Sequence, residues 1–176
     1  KADGARGIRL TSDMAFVAPT GSFGSPLSGL DTTMGGSLAR AQHAESLGMG
    51  VLMCITYSPS WIASYHQIPQ SVQAQDAYAA LFARLVQLHD VHQGGPVTAW
   101  EIWNEPDIFF CQDLSDGYAA YLAAASTGLR AGDPDAIVLH GSLCSGVGPF
   151  ARGVASAGTM DFCDGFNWHL YKPPLD

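Results

Sequence analysis

Basic residues are scarce in this chain of 176 residues: eight Lys plus Arg against sixteen Asp plus Glu leave a formal net charge of −8. Neutralising phosphates takes clustered cations, so this balance argues against nucleic acid and anionic membrane as partners. No apolar run approaches the roughly 20 residues that cross a bilayer. The four cysteines, Cys54, Cys111, Cys144 and Cys163, form no Cys-x-x-Cys pair and sit at no ligand spacing from a histidine, which removes the usual zinc signatures. No Gly-x-Gly-x-x-Gly follows the first strand-like segment and no Walker-type glycine loop occurs, so dinucleotide and P-loop readings lose their anchor. Even glutamate is rare: Glu45, Glu101 and Glu105 are the whole set. The length excludes two comfortable domains, while 47% hydrophobic content suffices for one substantial core.

What is present is a rhythm. Gly7 to Thr11 reads as a short strand, Gly21 to Gly29 as a Gly/Ser/Pro loop, and Thr33 to Leu47 as a helix capped by Asp31 or Thr32. Val51 to Thr56 is continuously apolar, as a strand buried on both faces should be, with Cys54 a small core residue within it. A second helix opens at Ser71 or Asp76 and carries Tyr78, Leu81, Phe82, Leu85, Val86 and Leu88 at helical spacing, before Gly94-Gly95-Pro96 breaks it. The strand Val97 to Trp103 follows. A third helix starts at Ser115 or Asp116 and stops at Gly132-Asp133-Pro134. Ala136 to His140 (strand), Pro149 to Ala157 (helix) and Gly165 to His169 (strand) complete the order. Such βα alternation implies a parallel sheet with right-handed crossovers; a doubly wound sheet and a (β/α)8 barrel both satisfy it. Cys111 and Cys144 both follow strand ends, which leaves a disulfide between them open.

One segment carries chemistry. In Ala99-Trp100-Glu101-Ile102-Trp103-Asn104-Glu105-Pro106-Asp107 an apolar strand pattern ends in an amide, a carboxylate and a proline. Proline cannot donate to a sheet ladder, so pairing stops there and the polar side chains are left at the strand's C-terminal mouth, where parallel α/β folds keep their sites. Glu105 is the first candidate for a catalytic residue. Glu101, of the same strand parity, points the same way on this reading and serves as a buried structural acid paired with Arg9. Trp100, alternating away, packs under a helix. His140 is equally a packing residue or a substrate contact, and His43, His89 and His92 read as surface residues.

The run Trp100-Glu101-Ile102-Trp103-Asn104-Glu105-Pro106-Asp107 resembles the fourth-strand signature of the retaining glycoside hydrolases of clan A, most similarly the family of β-xylosidases and α-L-iduronidase, glycoside hydrolase family 39. Three more segments agree in order. Ile8-Arg9-Leu10 is similar to that clan's second strand with its arginine, Thr56-Tyr57-Ser58-Pro59-Ser60-Trp61 to the end of its third, and Asn167-Trp168-His169-Leu170-Tyr171 to the histidine and tyrosine of its sixth. The resemblance implies an α/β fold, a partial (β/α)8 barrel of roughly the second to sixth strands, spanning the chain as one catalytic domain.

It further implies a carbohydrate substrate, no metal or organic cofactor, and retaining hydrolysis of an O-glycosyl bond, in which one carboxylic acid protonates the leaving oxygen and a second carboxylate ~5 Å away attacks. Glu105 takes the first role. Asn104 bonds a sugar hydroxyl beside the reacting carbon, Arg9 and Tyr171 hold the nucleophile ionised and oriented, His169 lines the substrate subsite, and Trp61, with Trp168, offers a flat face to a sugar ring. The family's nucleophile is a glutamate on the seventh strand, and no glutamate follows Glu105 here. A complete barrel typically takes about 250 residues. The expectation is therefore a five-strand piece of a longer enzyme that holds the acid/base half of the site and is inactive alone. A carbohydrate-binding protein without cleavage is the alternative class. An inverting hydrolase with Asp13 or Asp107 as base is disfavoured, since Asp107 lies too near Glu105 along the chain and Asp13 falls in a loop.

Overall fold

A computed structural model describes residues 4–110 and 115–169. Five strands, β1 (Gly7–Asp13), β2 (Gly50–Thr56), β3 (Ala99–Asn104), β4 (Val138–Leu143) and β5 (Gly165–Trp168), form one sheet. Every neighbouring pair is parallel and the spatial order is β1-β2-β3-β4-β5. That order decides between the two topologies the rhythm allowed. A doubly wound sheet reverses its strand order at a switch point, whereas this one advances one strand at a time, as a barrel does. The fold is a partial (β/α)8 barrel.

Between the strands run α1 (Met14–Val17), α2 (Ser37–Ser46), α3 (Val72–His89), α4 (Ser115–Gly132) and α5 (Pro149–Ser156). The apolar stripe read from the α3 sequence is the buried one: Tyr78, Leu81, Phe82, Leu85 and Val86 are wholly covered, and Ser71 caps the helix by accepting from Ala74 N. Tyr118, Tyr121, Leu122 and Leu129 do the same for α4. Trp100 is packed beneath this layer, and its indole N–H donates to Asp90 Oδ2 at 2.7 Å.

Helices α3 and α4 approach through glycine. A Cβ on Gly128 would lie 2.3 Å from the Ala79 carbonyl oxygen and 2.6 Å from Ala79 Cα. Replacing a mid-helix glycine by alanine ordinarily gains about 1 kcal/mol. Here the backbones would have to separate, so Gly128→Ala is expected to cost about 1–3 kcal/mol, read as a lower urea midpoint at unchanged m-value.

Several boundaries differ from the sequence expectation. Helix α2 begins at Ser37 rather than Thr33, because Gly35 and Gly36 take left-handed φ of 62° and 81°. Asp31 caps the preceding turn instead: its Oδ1 accepts from Thr33 N and Oδ2 from Gly35 N. Strand β1 runs on to Asp13, which caps α1 by accepting from Ala15 N at 2.8 Å, so Asp13 is a strand-tip residue and not a loop residue.

Strand β4 starts two residues late and runs to Leu143, carried past the expected end by Gly141. A Cβ there would come within 2.5 Å of the Ile102 carbonyl oxygen. His140 is consequently mid-strand and fully buried, stacked on Phe166 at 4.3 Å, and burial pushes its imidazole down to about 4. It is a packing residue. His89, expected at the surface, is 4% exposed, because the chain after α3 folds back over it: Val97 N donates to its carbonyl at 2.8 Å and Gly95 packs on its backbone.

Cys54, Cys144 and Cys163 are free thiols, with Cys54 buried as expected. Cys111, the other half of the considered disulfide, lies outside the described residues. No helix among the described residues is long and apolar enough to cross a membrane.

Candidate active site

Among the described residues, three of the four non-glycine residues with positive φ lie at the C-terminal ends of β2 and β3: Tyr57 (60°), Trp103 (73°) and Glu105 (46°). Bulky side chains avoid this region, at a cost of about 1–3 kcal/mol each, and it persists where the surroundings over-determine it. At Trp103 the surroundings are aromatic. The ring is 1% exposed and meets Tyr121 of α4 edge-on at 5.9 Å and Tyr57 at 6.2 Å.

The consequence is a broken pleat. Strict alternation would send Glu101 and Asn104, three residues apart, to opposite faces. Both instead meet one guanidinium. Arg9 Nε donates to Glu101 Oε2 at 2.6 Å, and Nη2 donates to Glu101 Oε1 at 3.1 Å and to Asn104 Oδ1 at 2.7 Å. The expected Arg9–Glu101 pair is present, but the parity argument that aligned Glu101 with Glu105 fails at Trp103, and Asn104 takes the place beside Arg9.

Glu101 is fully buried, and Ser142 donates to its Oε1 through both N (2.9 Å) and Oγ (2.5 Å). Burial would raise this carboxyl; the hydrogen bonds from Arg9 and Ser142, with the arginine's charge, outweigh it and hold Glu101 below its ordinary value. Burial likewise pulls Arg9 down, and the Glu101 bond and surrounding negative charge more than restore it. The pair is a fixed scaffold that holds the Asn104 amide by its oxygen, so Nδ2 is the group that can donate to a ligand.

Glu105 lies one residue beyond β3, with a side chain 14% exposed. Its Oε1 is 2.6 Å from Nδ1 of His169, a residue 64 positions later that is seated after β5 by donating its own N–H to Leu143 O at 2.9 Å. The next segment is held from below: Asp107, 6% exposed, accepts from Cys144 N at 3.0 Å and Ser145 N at 2.6 Å, tying the turn after Glu105 to the loop after β4. Asp107 is thus engaged in holding backbone.

The sequence reading missed the neighbouring wall. Tyr57 stacks on Tyr65 at 4.3 Å, His66 sits edge-on to both, and the Tyr65 hydroxyl donates to Asp13 Oδ2 at 2.5 Å. Burial first, then that hydrogen bond to a carboxylate, pushes the Tyr65 phenol up to about 12. Only the extension of β1 to Asp13 could have signalled this pairing from sequence. Trp61 is engaged with the chain after β1: its Nε1–H donates to Ala18 O at 2.9 Å, Gly21 packs on its six-membered ring and Phe23 lies 6.1 Å away. Trp168, the last residue of β5, is 41% exposed. Tyr171 lies outside the described residues.

A parallel barrel sheet that brings a glutamate and a histidine together at its C-terminal mouth, next in sequence to an arginine-bound amide, belongs to the class of barrel folds that keep their chemistry there. No family model and no curated protein sequence matches the chain. Solved structures do. A family 39 glycoside hydrolase from Bacteroides cellulosilyticus WH2 is 23% identical with a TM-score of 0.74, over 96% of this chain and 33% of that one. A glucosidase from Croceicoccus marinus is 17% identical with a TM-score of 0.70, over 91% and 36%. The catalytic domain of the family 30 xylanase C from Talaromyces cellulolyticus is 12% identical with a TM-score of 0.67, over 93% and 43%. The fold is that of glycoside hydrolase barrels, and the chain spans between a third and under half of each.

Proposed function

We propose that this chain is the acid/base half of a retaining glycosidase, with Glu105 as the proton donor and a nucleophilic carboxylate supplied by further strands. The observation that carries the reading is the contact of Glu105 with His169 at the mouth of the sheet, beside an Asn104 whose amide is already oriented by Arg9. The fold shared with glycosidase barrels supports it.

On this reading Glu105 protonates the glycosidic oxygen as the bond to the anomeric carbon breaks, then removes a proton from the water that resolves the covalent intermediate. His169 holds the carboxyl in position through both steps. Asn104 Nδ2 donates to the hydroxyl beside the reacting carbon, a bond that tightens as the ring gains oxocarbenium character. Arg9 is a positioning residue acting through Asn104, and Tyr171 completes the nucleophile's surroundings as the resemblance implies. Trp61 and Trp168 offer the stacking surfaces.

A 2-deoxy-2-fluoro glycoside with a good leaving group tests the division of labour. With the chain joined to its remaining barrel, mass spectrometry is expected to find the trapped sugar on a carboxylate outside residues 1–176. The 176-residue chain alone is expected to show neither adduct nor turnover. A sugar ester on Glu105, or turnover by the isolated chain that Glu105→Gln abolishes, would overturn the assignment.

A further inference from the structure

At the opposite end of the sheet from Glu105, the chain gathers a second group of polar side chains. Asp90 ends α3 and opens the short 3-10 turn Val91–Gln93, which carries His92, and Asp133 follows α4. Both segments lead into strands that pair with each other, β3 and β4, so the three residues are brought together by the sheet itself. Asp90 is 0% and Asp133 2% exposed, while the His92 side chain is 42% exposed.

We propose that Asp90, His92 and Asp133 form a binding site for one divalent transition-metal ion that clips α3 to α4 at the N-terminal face of the barrel. One oxygen of each carboxylate is already tethered: Trp100 Nε1 donates to Asp90 Oδ2 at 2.7 Å, and Asp135 N donates to Asp133 Oδ1 at 3.0 Å. Such outer contacts orient metal ligands. The other oxygens face the imidazole, Asp90 Oδ1 while also accepting from His92 N at 3.1 Å, and one donor atom from each residue lies within 4.8 Å of the others.

His92 Nδ1 is 3.0 Å from Asp90 Oδ1 and 3.4 Å from Asp133 Oδ2, close to the ~3.4 Å that separates ligands on a tetrahedral ion with bonds of ~2.1 Å. Asp133 Oδ2 is buried and accepts no hydrogen bond among the described residues, although a buried carboxylate oxygen is costly to leave unsatisfied. The exposed edge of His92 leaves room for water on the remaining coordination position. One imidazole and two carboxylates suit zinc, cobalt or manganese rather than calcium or magnesium, which take oxygen alone. The position is remote from Glu105, and the ion's role is to stabilise, as expected of the bottom of such barrels.

Cobalt(II) alone is the probe. The 176-residue chain, stripped with chelator and titrated with Co2+ near neutral pH, is expected to develop a visible d–d band that saturates at one equivalent, without the near-ultraviolet sulfur charge transfer that Cys144 ligation would produce. Its thermal midpoint should rise, and Zn2+ should bleach the band. His92→Ala, at an exposed side chain that the core does not use, should weaken binding at least ~100-fold with folding intact, and Asp133→Asn should do the same. Absence of the band in the native chain overturns the site. So does equal binding by both variants, or a band dominated by sulfur. A chain that ignores metal but loses stability on His92→Ala also overturns it, because the imidazolium would then be the cation between the two acids.

Discussion

Glu105→Gln, made in the chain joined to its remaining barrel, is expected to lower kcat/KM for alkyl glycosides by about 10²–10⁴-fold, the span a positioned general acid supplies. At 1.36 kcal/mol per decade this is about 3–5 kcal/mol of lost transition-state stabilisation. The amide keeps the shape of the carboxyl and can still bond His169 Nδ1, so the fold should be unchanged. The loss should depend on the leaving group. A dinitrophenolate departs without protonation, so its glycosylation step should be nearly spared and the intermediate should accumulate. Azide, small enough to enter beside the neutral amide and needing no base, should restore turnover and yield a glycosyl azide of retained configuration. A deficit uniform across leaving groups, with no azide rescue, would remove Glu105 from the acid/base role and leave it a binding residue.

The second large effect concerns stability. Glu101→Gln removes the anion that four donors surround, Arg9 Nε at 2.6 Å and Nη2 at 3.1 Å, and Ser142 N and Oγ at 2.9 and 2.5 Å. Breaking a buried pair from one side costs about 3–5 kcal/mol when the abandoned charge is wholly buried. Arg9 keeps 32% of its side-chain surface and can reach water, so about 2–4 kcal/mol is expected from chemical denaturation. The double variant Arg9→Leu/Glu101→Gln should lose less than the sum of its singles, since it leaves no cation behind.

The same carboxylate makes stability depend on pH. The folded value of Glu101 lies below its ordinary 4.5, so the folded chain binds this proton more weakly than the unfolded one. Its contribution is complete above about pH 4.5 and is lost as pH falls through the lower folded value. The native chain should therefore weaken on acidification in that window, and Glu101→Gln should flatten this part of the curve. An unchanged acid limb in the variant would mean that other carboxylates carry the dependence.

The strands were largely legible because each is an apolar run bounded by glycine, proline or a helical period, and Val51 to Thr56 kept its limits within one residue. The candidate acid was legible for a local reason: Asn104-Glu105-Pro106 is a strand end written into consecutive residues. The Arg9–Glu101 pair was legible too, because charge on an otherwise apolar strand demands a partner. What failed were arguments that assumed ideal repeats. Alternation predicts a continuous pleat through Trp103, where a φ of 73° breaks it. The apolar pattern alone ends β4 at His140, whereas Gly141 lets the strand continue against β3. Helical position alone puts His89 at the surface, but the chain after α3 folds back across it.

By itself, then, the amino-acid order determined the βα rhythm, the parallel sheet and the identity of the carboxylate at a strand tip, because hydrophobic period, turn residues and proline act over a few neighbours. Tertiary structure bore out the barrel order that the resemblance implied, and it alone decided that Asn104 shares an arginine with Glu101, that His169 meets Glu105 across 64 residues, and that Asp90, His92 and Asp133 converge at the far end. Those are meetings between separate segments. They depend on strand register and on which backbones can approach through glycine, quantities to which each local stretch of sequence contributes only one side.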